Sequence, residues 1–271
     1  MRFLGLAFAL FVFAVANNAA ALKFFPNRLV LSDRDRTATL TIVNSGSQTQ
    51  RYTLRWTRMR MVKGAGLEML DEDEPAPDLN PAHDFVLYAP RRAVVPPNGT
   101  QTVRFMARPP ADLAEGEYRS HLVVTQPPSQ EGDGAGDGQG AGTRIETVSR
   151  TTIPVILRHG DLTLDVGVKA AGIDRSGDRA QFEVTLERTG TKSLYGDVEI
   201  LWRDGDGREL VVNEINGVGI YPEINERTFR HVLFFPNRGD VPSGTLHYRL
   251  YEHTEDGISG ELLAETKVRV P

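Results

Sequence analysis

The sequence predicts an all-β protein built from two β-sandwich domains. Short runs of alternating apolar and polar residues, such as 37–43, recur along the chain, and Pro, Gly and Asn turns separate them. The length of 271 residues is enough for two domains of ordinary size. With 40% hydrophobic and 25% charged residues, each half has enough apolar side chains to bury a core.

The first 21 residues are predicted to be a secretory signal peptide. Arg2 supplies the positive start, residues 4–16 form an apolar run, and small residues precede a cleavage site near Ala21. The alternative is a membrane anchor, but the apolar run is shorter than the roughly 20 residues that span a bilayer. The sequence contains no cysteine, which excludes disulfides and cysteine chemistry. A secreted chain of this kind fits a bacterial periplasm.

The first domain is predicted over residues 22–159. Residues Ala38, Leu40 and Ile42 alternate with threonines, so they are expected to share a buried face. The predicted strands of this domain are 28–31, 37–44, 50–62, 85–88, 93–95, 100–107, 117–126 and 144–158.

Two segments of the first domain are predicted to be loops. Residues 71–81 are acidic and contain proline, which is typical of a solvated loop. Residues 127–142 are rich in Pro, Gly, Asp and Gln and are expected to form a mobile loop between two long strands. A nucleotide site would need a helix after such a glycine-rich turn, and the sequence that follows is strand-like instead.

The second domain is predicted over residues 160–271. Turn-forming segments at 174–178 and 203–207 suit hairpins, because glycine accepts a positive φ. The predicted strands are 162–168, 181–187, 197–202, 209–212, 228–234, 244–252 and 262–270.

The sequence offers no enzyme signature, so no catalytic residue, metal or cofactor is predicted. The six histidines have no metal-ligand spacing, and residues 204–207 do not continue into a calcium loop. No serine stands in a Gly-x-Ser-x-Gly elbow. A carbohydrate-active enzyme stays open as a minor alternative, since a carboxylate pair is judged by geometry. The net charge of -5 argues against nucleic acid as the main partner.

Several spaced features carry a resemblance to a known family. They are Arg28 before the first full strand, Asn44 at the end of the next, Tyr52 with Trp56, the stretch 90–105, Glu117 with Tyr118, and the strand end 153–158. In this order the chain resembles the periplasmic pilus-assembly chaperones, the PapD-like family. The likeness covers about residues 25–158, and the second half only as a β-sandwich of suitable length.

The resemblance implies two immunoglobulin-like β-sandwich domains in a boomerang arrangement, with no cofactor. It implies a periplasmic chaperone that caps incomplete pilus subunits by donor-strand complementation, a form of β-augmentation. The implied partners are protein subunits of a surface pilus or similar fibre and an outer-membrane usher that receives them. Neither nucleic acid nor stable membrane insertion is expected. The alternative is a non-chaperone, two-domain periplasmic module that binds a secreted or envelope component.

The resemblance also implies an anchor for the subunit's C-terminal carboxylate. Arg28 matches the family's arginine, and a guanidinium can hold a carboxylate bidentately. The alternative for Arg28 is an ordinary solvated surface arginine. Pro154 stands where the family has a lysine, and Arg150 is predicted to substitute for it because it lies on the same strand face.

Two further sets of residues follow from the resemblance. Ile145, Thr147, Val148 and Ser149 are predicted to form the donor strand, although neither face of this segment is a hydrophobic comb. Three alternatives stay open: a register that begins nearer Val148, small subunit pockets, or a chain that does not donate in the usual way.

Glu117 and Arg158 are predicted to form an interdomain ion pair that fixes the domain angle, with an ordinary surface pair as the alternative. Glu252 is a guess for the third member of this set.

Overall fold

The computed structural model describes residues 22–127, 148–236, 241–254 and 260–271. The predicted signal peptide, residues 128–142 of the predicted loop, and the donor-strand residues Ile145 and Thr147 lie outside the described residues. The described residues are strands, turns and loops apart from one short 3-10 helix at Ala82–Asp84, and the predicted fold class of two immunoglobulin-like β-sandwiches is confirmed.

The described residues of the first half of the chain contain eleven strands. In chain order they are β1 Leu22–Phe25, β2 Leu29–Ser32, β3 Thr37–Asn44, β4 Gln50–Thr57, β5 Met59–Val62, β6 Gly66–Met69, β7 Val86–Ala89, β8 Arg92–Val95, β9 Thr100–Ala107, β10 Gly116–Gln126 and β11 Ser149–His159.

Two sheets form this sandwich. One has the strand order β1-β3-β9-β7 and the other β2-β11-β10-β4-β8, while β5 and β6 form a separate hairpin. The predicted alternation is confirmed in β3, where Leu40 and Ile42 are fully buried between the sheets. They pack with Leu54, Phe105 and Leu157 in one continuous core. Burying each such side chain is worth about 1.5–3 kcal/mol, so this core stabilises the sandwich without disulfides.

The second sandwich begins after a short connection at residues 160–163. Its strands are β12 Leu164–Asp174, β13 Gln181–Gly190, β14 Leu194–Arg203, β15 Glu209–Ile220, β16 Glu226–Val232, β17 Gly244–Glu252 and β18 Leu262–Val270. The sheets have the orders β12-β13-β16 and β15-β14-β17-β18. Phe182 stacks on Tyr248 with ring centroids 5.5 Å apart in the buried core.

Three features differ from the strand predictions. The segment 50–62 is two strands rather than one, because the hairpin of β5 and β6 leaves the sheet after Thr57. Strands β1 and β6 are absent from the prediction, and β12 and β15 run on to Asp174 and Ile220 rather than ending at Val168 and Val212. Each missed element is short, contains glycine or does not alternate regularly between apolar and polar residues. Its strand conformation therefore depends on the strand it pairs with rather than on its own sequence.

Asn44 joins the end of β3 to the neighbouring turns. Its buried side-chain amide donates to the carbonyls of Gln48, Val95 and Pro96 at 2.7, 3.0 and 3.1 Å, and its Oδ1 accepts from the Gly46 N–H. A single polar side chain therefore satisfies backbone groups of two turns, the one between β3 and β4 and the one between β8 and β9, at one end of the first core.

The two sandwiches meet along a mixed interface. Met61 and Ile156 of the first sandwich pack with Tyr221 and Ile224 of the second in a small apolar cluster. Beside it, Arg119 binds Glu223 bidentately, with Nη1 to Oε2 at 3.0 Å. The side chains of this ion pair are only 6% and 4% exposed.

Candidate functional site

A cleft with a volume of about 770 Å³ lies between the two sandwiches. The first sandwich contributes the bend between β1 and β2, with Phe25 and Arg28, and the end of β11, with Arg158. The second contributes the turn between β13 and β14, with Lys192 and Ser193. The cleft is therefore positioned by chain bends that the two folds bring together.

Arg28 is the central cation of this cleft. Its Nη2 donates to Ser193 Oγ at 3.1 Å, and its guanidinium carbon lies 4.3 Å from the centre of the Tyr195 ring. Its Nε is buried and has no hydrogen-bond partner within the described part of the chain. No described carboxylate forms an ion pair with it. Burial, the largest cause, lowers the pKa of Arg28, and the neighbouring charge of Arg158 acts in the same direction.

Glu117 connects the two sandwiches. Arg158 Nε donates to its Oε2 at 3.1 Å, so the two residues predicted as an ion pair are in contact. The same oxygen accepts hydrogen bonds from the backbone N–H and the hydroxyl of Ser193 at 3.1 and 2.9 Å. The second-domain partner of Glu117 in this structure is thus a serine.

Glu252, the guessed third member, binds Lys192 Nζ at 3.0 Å instead. That pair lies on the wall of the same cleft. Lys192 is a second-domain cation, and nothing in its local sequence distinguished it from other surface lysines.

The interface carries more positive than negative charge. Four guanidinium groups lie near two carboxylates there, so cations exceed anions by two in this set. The guanidinium groups are those of Arg28, Arg119, Arg158 and Arg188, and the carboxylates are those of Glu117 and Glu223. Arg188 is 2% exposed and donates to the Gly190 carbonyl, while its Nε has no partner in the described chain. Burial lowers the pKa of Arg188 as it does that of Arg28. Buried unpaired cations are costly, so this arrangement suits the binding of an anion.

Arg150 does not reach this cleft. Strand β11 pairs in parallel with β2 so that Val155 lies opposite Leu29, which puts Pro154 beside Arg28. Arg150 lies four residues further along the strand, about 13 Å away at the usual rise of about 3.3 Å per residue. It is exposed and is absent from the cleft wall. Arg150 and Pro154 lie on the same face of β11, but the distance along the strand keeps Arg150 away from Arg28.

The described part of the predicted donor segment is exposed. Val148 precedes β11 and is 47% exposed, and Ser149 is the first residue of the strand. The other two predicted residues are outside the described ranges.

Residues of the second domain that form the site were missed by the sequence prediction. Ser193 lies in the turn before β14 and Tyr195 is the second residue of that strand; neither belongs to a recognisable motif, and only the fold brings them to Arg28. Arg119 had a detectable signal, because it lies two residues from Glu117 and therefore on the same strand face.

Other chemistry is not visible in the described residues. They contain no group of three or more His, Asp or Glu side chains arranged to hold a metal ion. No helix in those ranges is long and apolar enough to cross a membrane.

Comparisons with known proteins give the following picture. No protein-family model matches the chain, and no characterised protein matches it in sequence.

Solved structures that match include pilus chaperones and their complexes. One is the Salmonella enterica SafA pilin in complex with the SafB chaperone, with 13% identity, a TM-score of 0.45, and coverage of 94% of this chain and 99% of that chain. Another is the Pseudomonas aeruginosa CupB2 chaperone, with 14% identity, a TM-score of 0.41, and coverage of 90% and 97%. A third is the CsuC–CsuE chaperone–tip adhesion subunit complex of Acinetobacter baumannii, with 11% identity, a TM-score of 0.43, and coverage of 91% and 98%. At these identities the likeness concerns the fold alone.

Proposed function

We propose that the protein is a periplasmic chaperone that binds an incomplete subunit of a pilus or similar surface fibre and lends it a strand edge. One observation carries the proposal: an arginine whose Nε is buried without a partner, and which forms no ion pair with a described carboxylate, lies at the inner end of an unpaired sheet edge. The edge offers backbone hydrogen bonds, and the arginine offers a place for a terminal carboxylate.

The unpaired edge belongs to the first half of β11. Strand β10 pairs with all of β11, whereas β2 pairs with it only from Val155 to Arg158. Residues 149–154 therefore have no described strand on their second side. Such an edge is a template for another strand.

Pro154 indicates which backbone groups face outward. A proline nitrogen carries no hydrogen, so it fits a strand position whose nitrogen faces away from the neighbouring strand. Because outward positions repeat every second residue, the N–H and C=O groups of Thr152 and Arg150 are inferred to face the open edge. An incoming strand would bond to these groups and end beside Arg28.

The cleft matches the end of such a strand. A carboxylate placed there would pair with the guanidinium of Arg28 and offset part of the interface's excess positive charge. Phe25 and Val30 border the same cleft and are 66% and 38% exposed, so they are available to cover apolar surface of the partner.

The test is a one-to-one complex between the mature chain and the secreted subunit encoded beside it. The complex should be retained with Arg34→Ala, an exposed arginine, and lost with Arg28→Ala. Amidation of the subunit's C-terminus should weaken it about tenfold or more, because one charge-assisted bond to a buried group is lost. Unchanged binding in both cases would contradict the anchor.

A second test separates the chaperone from a general binding module. A subunit that carries its missing strand as a fused extension has no open groove, so a strand-lending chaperone should not bind it. A binding module that recognises a folded surface would bind both forms equally. Thr152→Pro removes one inferred outward N–H and should reduce binding, whereas Thr152→Ala keeps that group and should not.

The proposal also includes secretion of the chain and transfer of the bound subunit to an outer-membrane usher. Cleavage near Ala21 would give a mature protein that begins at Leu22, which N-terminal sequencing of the secreted form can check. Release of the subunit upon addition of an outer-membrane usher would support handover, and a complex indifferent to the usher would contradict it.

A further inference from the structure

The outer face of the sheet that contains β11 carries arginines in a regular arrangement. Thr125 on β10 lies opposite Arg150 on β11 and opposite Thr53 on β4, and Thr53 lies opposite Arg92 on β8. Directly opposed residues point to the same face of a sheet. These four side chains therefore form one row that crosses four strands and spans about 14 Å at a strand spacing of about 4.8 Å.

Two more arginines extend this row. Arg51 lies opposite Val94, and Arg55 lies opposite Val123, on the same face as Thr53. We call Arg51, Arg55, Arg92 and Arg150 the arginine face, and all four are exposed.

The arginine face has no counter-charge among the residues that the structure describes. No ion pair joins any of its four arginines to a described carboxylate. The acidic residue on these strands, Glu117, lies eight residues from Thr125, about 26 Å away at the usual strand rise. In a chain with a net charge of -5, this separation leaves a local field of positive sign.

A cavity lies at the edge of the arginine face. It has a volume of about 310 Å³ and is lined by Arg55, Arg91 and Arg92 together with Trp56 and Tyr88. The guanidinium carbon of Arg91 lies 5.8 Å from the centre of the Tyr88 ring. Three guanidinium groups around one cavity can enclose a carboxylate side chain.

We propose that the arginine face docks an acidic segment of a partner protein. The span of about 14 Å accommodates about four residues of extended chain at about 3.3 Å each, so several carboxylates can contact the row at once. The hydroxyls of Thr53 and Thr125, between the two end arginines, can donate to carboxylates or bond to the segment's backbone. An anionic membrane would instead call for several large apolar side chains to insert, and two valines, Val94 and Val148, are the large apolar side chains described as exposed beside the four arginines.

This interaction is separate from strand lending, since it uses the flat face of the sheet rather than its open edge. The partner can therefore bind while the edge is free or occupied.

The experiment measures binding of a fluorescent glutamate-rich peptide to the mature chain by anisotropy, with a lysine-rich peptide as the comparison. The test variant is the double change Arg55→Glu and Arg92→Glu. The control is Arg175→Glu with Lys267→Glu, two exposed cations of the second sandwich, which changes the net charge equally. Circular dichroism verifies that both variants fold.

The expected result is binding of the acidic peptide that weakens about tenfold or more in the test variant, because attraction becomes repulsion at two positions, and changes little in the control. It should also weaken with salt.

Any of three binding results would overturn the proposal. They are equal binding by the test and control variants, no preference for the acidic over the lysine-rich peptide, or binding to phosphatidylglycerol vesicles in place of the peptide. A salt-sensitive dimer in sedimentation that the test variant abolishes would assign the face to a second copy of this chain and likewise overturn it.

Discussion

Replacing Glu223 by alanine should uncouple the unfolding of the two sandwiches, so that each unfolds in its own transition. Glu223 binds Arg119 through both carboxylate oxygens and accepts the Met61 backbone N–H at 3.1 Å. Arg119 also donates to the Met59 carbonyl at 3.0 Å, and its guanidinium carbon lies 3.6 Å from the centre of the Tyr221 ring. The alanine variant leaves this buried guanidinium without its counter-charge.

The expected cost is set by burial. Removing one partner of a buried ion pair typically destabilises a protein by about 3–5 kcal/mol, because the remaining charge is desolvated and unpaired. The Met61 N–H loses its acceptor as well, so the upper part of that range applies. A double variant, Arg119→Met with Glu223→Leu, removes both charges and should cost clearly less than Glu223→Ala alone.

The two tryptophans provide the assay. Trp56 lies in the first sandwich and Trp202 in the second, so single-tryptophan variants report on each half during urea unfolding. The unchanged interface should give coincident transitions, and Glu223→Ala should give two separate ones. A loss below about 1 kcal/mol with coincident transitions would refute the view that this ion pair couples the sandwiches.

Single substitutions also test the pH dependence of stability, the buried Asn44 amide and the arginine of the cleft. Burial lowers the pKa of His121 to about 3. Since the unfolded value is about 6.5, the unfolded state binds more protons between these values, and stability falls as the pH falls below 6.5, by about 2 kcal/mol at pH 5. In urea titrations, His121→Leu should reduce the loss of unfolding free energy between pH 7 and pH 5. An equal loss in the variant and the unchanged protein would disprove the role of His121. Asn44→Ala should lower the free energy of unfolding by about 2–3 kcal/mol, because it orphans buried carbonyls such as that of Val95; a loss under about 0.5 kcal/mol would argue against this role. Arg28→Met should leave the melting temperature unchanged or higher, because the guanidinium it removes has a buried Nε without a hydrogen-bond partner and forms no ion pair with a described carboxylate; a large decrease would make Arg28 a structural residue.

The sequence predicts the strands of the cores better than the geometry of the cleft. Alternation in 37–44 identifies β3 and its buried face because the core of a sandwich selects every second side chain. Strand β1 has no such pattern, and it is defined by its pairing with β3.

The cleft is harder to predict because it depends on contacts between distant segments. Glu117 and Arg158 are opposite each other in adjacent strands, so a register argument can bring them together. Ser193 lies 76 residues from Glu117 in the sequence, and only the packing of the second sandwich brings it there. Arg150 illustrates the limit of face arguments, since periodicity gives the face of a strand but not the position of a ligand along it.

Amide hydrogen exchange at Thr152 and Arg150 shows whether β11 lends its open edge to a partner strand. In the free chain these inferred outward amides should exchange rapidly, and in the complex with the subunit they should slow by about a hundredfold or more as they become hydrogen-bonded. The amide of Arg34, on an exposed turn, serves as the reference and should not change. A stable complex that leaves exchange at Thr152 and Arg150 as fast as in the free chain would contradict strand lending.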